Sequence, residues 1–200
     1  MIPIEIIKQV PKVELHDHLD GSMRASTIIE IAREENVTLP SYDEIELEQW
    51  FARGCERKSL PLYLETFSVT IAVLQTIKAL KRAAVETIED LAKDNVVYAE
   101  IRFAPILHIE KGLSMNEVVE AVLEGLDEGV RRTGISYGLI LCALRNQSPT
   151  ISLDIAKLAV AYRTRGVVAL DLAGDEFGNP PKIHLEAFQY IRNQNFNITI

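Results

Sequence analysis

Several residue types and motifs are scarce in this chain of 200 residues, and each scarcity excludes a class of protein. The two cysteines, Cys55 and Cys142, are too few for a disulfide framework and fit a reducing compartment. No apolar run approaches the roughly 20 residues of a membrane span. The N-terminus also lacks a basic stretch followed by an apolar one, which a secretory signal would need. We therefore expect a soluble, cytoplasmic protein.

Basic residues are outnumbered by acidic ones. The chain has 21 lysines and arginines against 29 aspartates and glutamates, and its net charge is −8. An acidic chain without a basic cluster is not expected to bind nucleic acid or a membrane surface as its main task. There is no G-x-G-x-x-G, Walker or C-x-x-C motif and no nucleophile elbow. Phosphate cradles, structural zinc and serine-triad chemistry therefore lack support.

The hydrophobic pattern predicts strands that alternate with helices. Most of the apolar runs are continuous rather than alternating, as in parallel strands that are covered on both faces. The predicted strands are 12–16, 96–103, 136–144, 167–172 and 197–200. The predicted helices are 25–36, 42–52, 60–74, 76–94, 115–132, 150–164 and 181–193. This order predicts right-handed βαβ units in one α/β domain over residues 1–200.

Two details of the helices are also predicted. Thr27 with Glu30, and Ser114 with Glu117, have the spacing of a capping box. Several helices separate the first two strands, between Gly21 and Asn95, and they could form a cap over a site.

Two of the four histidines lie in one window, at His16 and His18, where the first strand ends. Residues i and i+2 of a strand point to the same face, so the two imidazoles should lie side by side. This arrangement is typical of a metal site, and the carboxylate of Asp20 follows two residues later. A catalytic zinc usually has three protein ligands and an open position, and this motif supplies two ligands.

Polar residues also follow the later strands. Arg102 comes at the end of the second strand, Arg145 and Asn146 after the third, and 174–176 (Gly-Asp-Glu) after the fourth. The carboxyl ends of parallel strands meet at one rim, where barrels and open sheets carry their chemistry. Gly174 would let a ligand approach the backbone closely, although a plain tight turn explains it equally well.

The remaining polar residues have structural explanations. Glu100 and Arg102 share a strand face and are expected to form a buried ion pair, or else to support the metal site. Asp171 is a candidate to orient a metal-bound histidine. His108 and His184 are expected to have surface or capping roles rather than to bind metal.

Four segments together resemble the adenosine deaminase family, whose members are metal-dependent (β/α)8 barrels. They are PKVELHDHLDG at 11–21, SLPLYLETF at 59–67, VYAEIRFAP at 97–105 and DLAGDE at 171–176. The resemblance implies a TIM-barrel fold of which this chain contains about the first five strands. It also implies hydrolytic deamination of adenosine, with Zn²⁺ lowering the pKa of the attacking water.

The same resemblance implies roles for individual residues. His16 and His18 would bind the zinc. Asp20 would bond the ribose 5′-hydroxyl, and Gly174 would donate its N–H to the purine N3. The apolar lid over the nucleoside would comprise Leu60, Tyr63 and Phe67.

The family's fifth strand ends in H-A-G-E, which carries the third zinc histidine and the glutamate that protonates the purine N1. This chain ends in 196–200 (FNITI), where that motif should begin. We therefore expect the first part of a longer enzyme, or a fragment, which has no catalytic acid or base of its own and is inactive alone. Five parallel strands also leave two open edges, which self-association or a C-terminal half would cover.

Two other functions remain open on the sequence. The chain could belong to a related amidohydrolase that acts on another aminopurine or on a cyclic amide. It could also be a non-catalytic binding module that retains a partial metal site.

Overall fold

A computed structural model describes residues 2–56 and 58–200, apart from the side chains of Cys55 and Pro61. The described residues form five strands: β1 (Lys12–His18), β2 (Val96–Phe103), β3 (Ser136–Leu144), β4 (Val167–Ala173) and β5 (Asn197–Thr199). They also form α1 (Ile4–Gln9), α2 (Ala25–Glu35), α3 (Glu44–Cys55), α4 (Leu60–Val73), α5 (Ile77–Lys93), α6 (Met115–Thr133), α7 (Pro149–Ala161) and α8 (Leu185–Asn193).

The five strands make one parallel sheet in the order β1-β2-β3-β4-β5. Each strand therefore lies beside the next one in the chain, and helices make the crossovers, as the sequence predicts. Within the described residues β1 and β5 each have a single neighbouring strand. The open edge is visible on β1, where Val13 is 57% exposed and Leu15 is 54% exposed.

The predicted capping box at Ser114 and Glu117 is present, but the one at Thr27 and Glu30 is wrong. α2 begins at Ala25 and has Arg24 at its N-cap, so Thr27 lies inside the helix. The Thr27 hydroxyl instead donates to Glu86 Oε2 of α5 over 2.6 Å. A tertiary contact thus replaces the local one.

The helices between β1 and β2 fall into two groups. α5 packs against α6 and β2, whereas α2, α3 and α4 pack on one another. This second group continues directly from the end of β1, and its helix α4 lies beside the carboxyl ends of the strands. No helix among residues 2–56 and 58–200 combines the length and apolar character needed to cross a membrane.

β1 is irregular beside the two histidines. Glu14 pairs with Ala99 and Asp17 pairs with Ile101, so three steps along β1 match two steps along β2. The extra residue forms a bulge at Leu15 and His16. A bulge bends a strand and re-aims its side chains, and such bulges are common next to active sites.

Candidate functional site

The two histidines of β1 bring their ring nitrogens together. Nε2 of His16 lies 3.3 Å from Nε2 of His18. A tetrahedral zinc with nitrogen ligands at about 2.0–2.1 Å holds two such atoms about 3.3–3.4 Å apart. The pair therefore has the spacing of two zinc ligands, although a hydrogen bond between the rings would give the same distance. Within the described residues no third histidine, cysteine or carboxylate completes a ligand group.

The protonation state of His18 also suits metal binding. Burial lowers its pKa, and the neighbouring His16 lowers it further. Its imidazole is therefore neutral near pH 7, which is the form that binds a metal ion.

Asp20 lies beyond the histidines and is almost completely buried, with 4% of its surface exposed. Its Oδ1 finds no hydrogen-bond partner in the described part of the chain, since Nδ1 of His18 is 4.0 Å away. Burial raises the pKa of Asp20 to about 7. A buried carboxyl oxygen without a partner is costly, and a hydroxyl donor on a ligand would satisfy it.

A cavity of about 220 Å³ opens between these residues and α4. Its wall is mainly apolar, and its polar residues come from the ends of β1, β3 and β4. The lining residues are His18, Asp20, Leu64, Phe67, Ile71, Ala104, Leu107, Cys142, Leu144, Asn146, Ala173, Gly174 and Asp175. An apolar cavity with a few converging polar groups is the usual form of a small-molecule site.

The three residues of the predicted lid lie differently. Phe67 lines the cavity, and its ring meets that of His18 edge-on at 6.0 Å. Tyr63 stacks edge-on against Phe67 at 5.4 Å and lines a second cavity of about 270 Å³, which shares Asp20 and Phe67 with the first. Leu60 is 46% exposed and does not line the cavity beside His18.

The glycine turn after β4 lies where the sequence predicts it. Gly174 has φ +96°, a left-handed conformation that side chains disfavour. A Cβ at this position would lie 3.6 Å from the backbone nitrogen of Arg145 and 3.8 Å from Oδ1 of Asn146. The turn therefore requires glycine for its backbone conformation, whether or not its N–H binds a ligand.

The carboxylate partner of Arg102 is Asp171 of β4, so the expected pair with Glu100 is wrong. Nη1 of Arg102 lies 3.4 Å from Oδ2 of Asp171, and both side chains are buried. Glu100 instead accepts a hydrogen bond from Tyr98. In the described part of the chain no contact supports the expectation that Asp171 orients a histidine. Asp171 pairs with Arg102 and accepts hydrogen bonds from Cys142 and Thr199.

His108 and His184 are not on the surface, as the sequence had suggested, but are fully buried. Nδ1 of His108 bonds the carbonyl oxygen of Leu74 at 3.0 Å. The ring of His184 connects the Ser152 hydroxyl, at 2.8 Å, to the carbonyl oxygen of Arg145, at 3.2 Å. Both histidines therefore fasten loops beside the site.

Sequence reasoning missed several lining residues. Leu64 and Ile71 each lie about one turn of α4 from the predicted lid residue Phe67, and the 64, 67, 71 spacing on one helix face could have indicated them. Cys142 is a buried thiol on the cavity wall, and burial raises its pKa well above the usual value. Its position inside an apolar strand gives no sign of this.

A sequence model of the family described as "Adenosine deaminase" matches residues 11–200. The chain belongs to the adenosine deaminase family. "Adenosine deaminase 1" of Streptomyces coelicolor is 51% identical over 97% of this chain and 50% of its own length. "Adenosine deaminase" of Mycobacterium avium is 48% identical over 100% of this chain and 56% of its own length. The chain thus spans about half the length of these curated relatives.

Solved structures of similar proteins have the same fold. Arabidopsis ADAL complexed with IMP superposes with a TM-score of 0.83 at 31% identity, covering 97% of this chain and 58% of ADAL. An amidohydrolase from Burkholderia ambifaria with bound zinc gives a TM-score of 0.83 at 26% identity, covering 97% of this chain and 52% of its own. The fold is therefore the N-terminal portion of a TIM-barrel amidohydrolase, which confirms the predicted class.

Proposed function

We propose that this chain forms part of a zinc-dependent enzyme that deaminates adenosine and deoxyadenosine to inosine and ammonia, in cytoplasmic purine salvage. The observation that carries the proposal is the 3.3 Å separation of the His16 and His18 Nε2 atoms, with His18 lining an apolar cavity. Support comes from the curated relatives, which are named adenosine deaminases. The Burkholderia neighbour, which contains zinc, supports the choice of metal.

In this proposal the residues of the chain hold the two ends of the nucleoside. His16 and His18 bind zinc, which when bound supplies a water of lowered pKa. Oδ1 of Asp20 accepts a hydrogen bond from the ribose 5′-hydroxyl, and the N–H of Gly174 donates to the purine N3. Phe67 covers the base and excludes water, while Tyr63 braces the Phe67 ring.

The chain alone is expected to be inactive. The residues at 2–56 and 58–200 supply a pair of ligands rather than the three of a catalytic zinc site. Loss of the general acid that the family resemblance implies would remove a further contribution of about 10²–10⁴-fold. Full deaminase activity from the 200-residue chain alone would refute this part of the proposal. We propose that self-association or further polypeptide covers the open edges of β1 and β5.

The experiment that tests the substrate compares Asp20→Ala with the parent protein, using adenosine and the free base adenine as ligands. Leaving a buried hydroxyl without its acceptor costs about 1–3 kcal/mol, which is roughly 5- to 150-fold in affinity. We expect this loss for adenosine and little change for adenine. Asp20→Asn is the matched control, because it keeps the shape and one acceptor oxygen. Equal losses for both ligands would favour a deaminase of free bases.

A second candidate is deamination of an aminopurine nucleotide, since the Arabidopsis neighbour is complexed with IMP. The electrostatics of the second cavity favour the nucleoside. Asp20 and Glu48 both line that cavity, and a 5′-phosphate placed there would meet the carboxyl oxygens of both. Arg24 also lines it, but its guanidinium is bound by Asp90 at 2.7 Å. A higher kcat/KM for AMP than for adenosine would reverse this choice.

The non-catalytic alternative is separated by metal binding and turnover in the complete enzyme of which this chain is proposed to form part. A binding module that retains two histidines should take up zinc weakly and release no ammonia there. A deaminase should lose zinc and activity together when His18 is changed to alanine.

A further inference from the structure

The bulge in β1 turns a backbone carbonyl toward a buried arginine. Leu15 lies in the bulge, directly before His16, and its carbonyl oxygen accepts a hydrogen bond from Nη2 of Arg102 over 2.9 Å. Arg102 is 3% exposed and pairs with His18 in the register of the sheet. The guanidinium therefore binds β1 at the residue directly before His16.

Arg102 is itself held by residues of β4 and β5. Its Nη1 pairs with Oδ2 of Asp171 at 3.4 Å, and Oδ1 of Asp171 accepts a 2.6 Å hydrogen bond from the Thr199 hydroxyl. These contacts run along one face of the sheet from β5 to β1. A buried charge-assisted network of this kind restricts the positions of all its members.

The network matters because a bulge has more conformational freedom than a regular ladder. The open edge of β1 leaves the Leu15–His16 segment with strand pairing on the β2 side alone, within the described residues. The two Nε2 atoms must nevertheless stay about 3.3–3.4 Å apart to share one zinc ion. Arg102 contacts both the bulge carbonyl and Asp171 of β4.

We infer that Arg102 is a positioning residue for the zinc ligands: by binding the Leu15 carbonyl, it holds the β1 bulge in the form that brings His16 and His18 together. This inference rests on the zinc site of the proposed function. It does not give Arg102 a contact with substrate or metal. It assigns a function to an ion pair that would otherwise be purely structural.

The test is Arg102→Met, which keeps much of the side-chain length and removes every donor. We expect the Zn²⁺ dissociation constant, measured by competition with a chromophoric chelator, to rise about 10- to 100-fold, as for other groups that orient metal ligands. In the metal-free protein we expect faster hydrogen exchange at the β1 amides. Arg102→Lys, which keeps one charged donor, should recover part of the affinity.

Two variants separate positioning from stability. Ile101→Val changes the residue of β2 directly before Arg102, whose side chain is buried on the opposite face of the sheet. This variant should lower stability while zinc affinity stays unchanged. If Arg102→Met fails to fold because Asp171 is left unpaired, the double variant Arg102→Met/Asp171→Asn removes that charge.

The outcomes are distinct. Unchanged zinc affinity and unchanged β1 exchange in both Arg102 variants would overturn the inference while leaving the zinc site intact. A complete enzyme, with its third ligand supplied, that binds no zinc would refute the proposed function instead. The exchange data on metal-free protein would then still decide whether Arg102 holds the bulge.

Discussion

His108 should make the stability of this protein depend on pH, and His108→Asn should remove that dependence. The His108 ring is completely buried, and its Nδ1–H donates to the carbonyl oxygen of Leu74. Nε2 has no partner in the described part of the chain, so a second proton there would be buried without compensation. Burial accordingly lowers the pKa of His108 from 6.5 to about 4.

The sign of the effect follows from the lowered pKa. Between pH 6.5 and about 4 the unfolded chain binds a proton at His108 that the folded protein does not bind. Stability from this group is therefore complete above pH 6.5 and is lost as the pH falls toward 4. A difference of about 2.5 units corresponds to roughly 3 kcal/mol in total. Between pH 7 and pH 5 the loss is about 2 kcal/mol.

The assay is urea unfolding of the parent and His108→Asn at pH 7 and pH 5. Asparagine places an amide N–H near the position of Nδ1, so it can keep the bond to Leu74 without titrating. Any cavity left by the smaller side chain lowers stability equally at both pH values. We expect the parent to lose about 2 kcal/mol more than the variant between the two pH values. Equal losses in both proteins would refute the argument that His108 is buried in the neutral form.

Three further substitutions test the packing and the site. Gly129→Ala on α6 should destabilise the protein by about 1–2 kcal/mol in thermal or urea unfolding. The new Cβ would lie 2.6 Å from Cβ of Ile88, and this overpacking costs more than alanine gains in helix propensity. A stabilised variant would contradict the close contact of α5 and α6. Phe67→Ala should weaken adenosine binding by roughly 1–2 kcal/mol through lost apolar contact, measured by calorimetry, and an unchanged affinity would show that α4 does not cover the nucleoside. Gly174→Ala should cost about 1 kcal/mol of stability through its positive φ, whereas an Ala variant as stable as the parent would show that the turn relaxes.

The sheet was largely predictable from the sequence because its strands are continuously apolar. The structure gives β2 and β3 the predicted bounds, Val96–Phe103 and Ser136–Leu144. β1 extends two residues beyond the predicted end, through Asp17 and His18. The apolar pattern stops there because Asp17 and His18 are polar.

The candidate site was predictable where neighbours in sequence are neighbours in space. Alternation along a strand predicts that His16 and His18 share a face, and the bulge at Leu15 and His16 then sets how closely their rings approach. The partner of Arg102 was not predictable in this way, because Glu100 is two residues away whereas Asp171 is on another strand. The burial of His108 was hidden for a similar reason, since the carbonyl group that binds it belongs to the end of a distant helix.

The central claim is that His16 and His18 together bind zinc, and an anomalous difference map at the zinc absorption edge tests it most directly. Crystals of the zinc-loaded protein should show a peak about 2.0–2.1 Å from Nε2 of both histidines. The peak should vanish in His16→Ala and His18→Ala, while the fold stays unchanged. A zinc peak elsewhere, or one bound to neither Nε2 atom, would contradict the account.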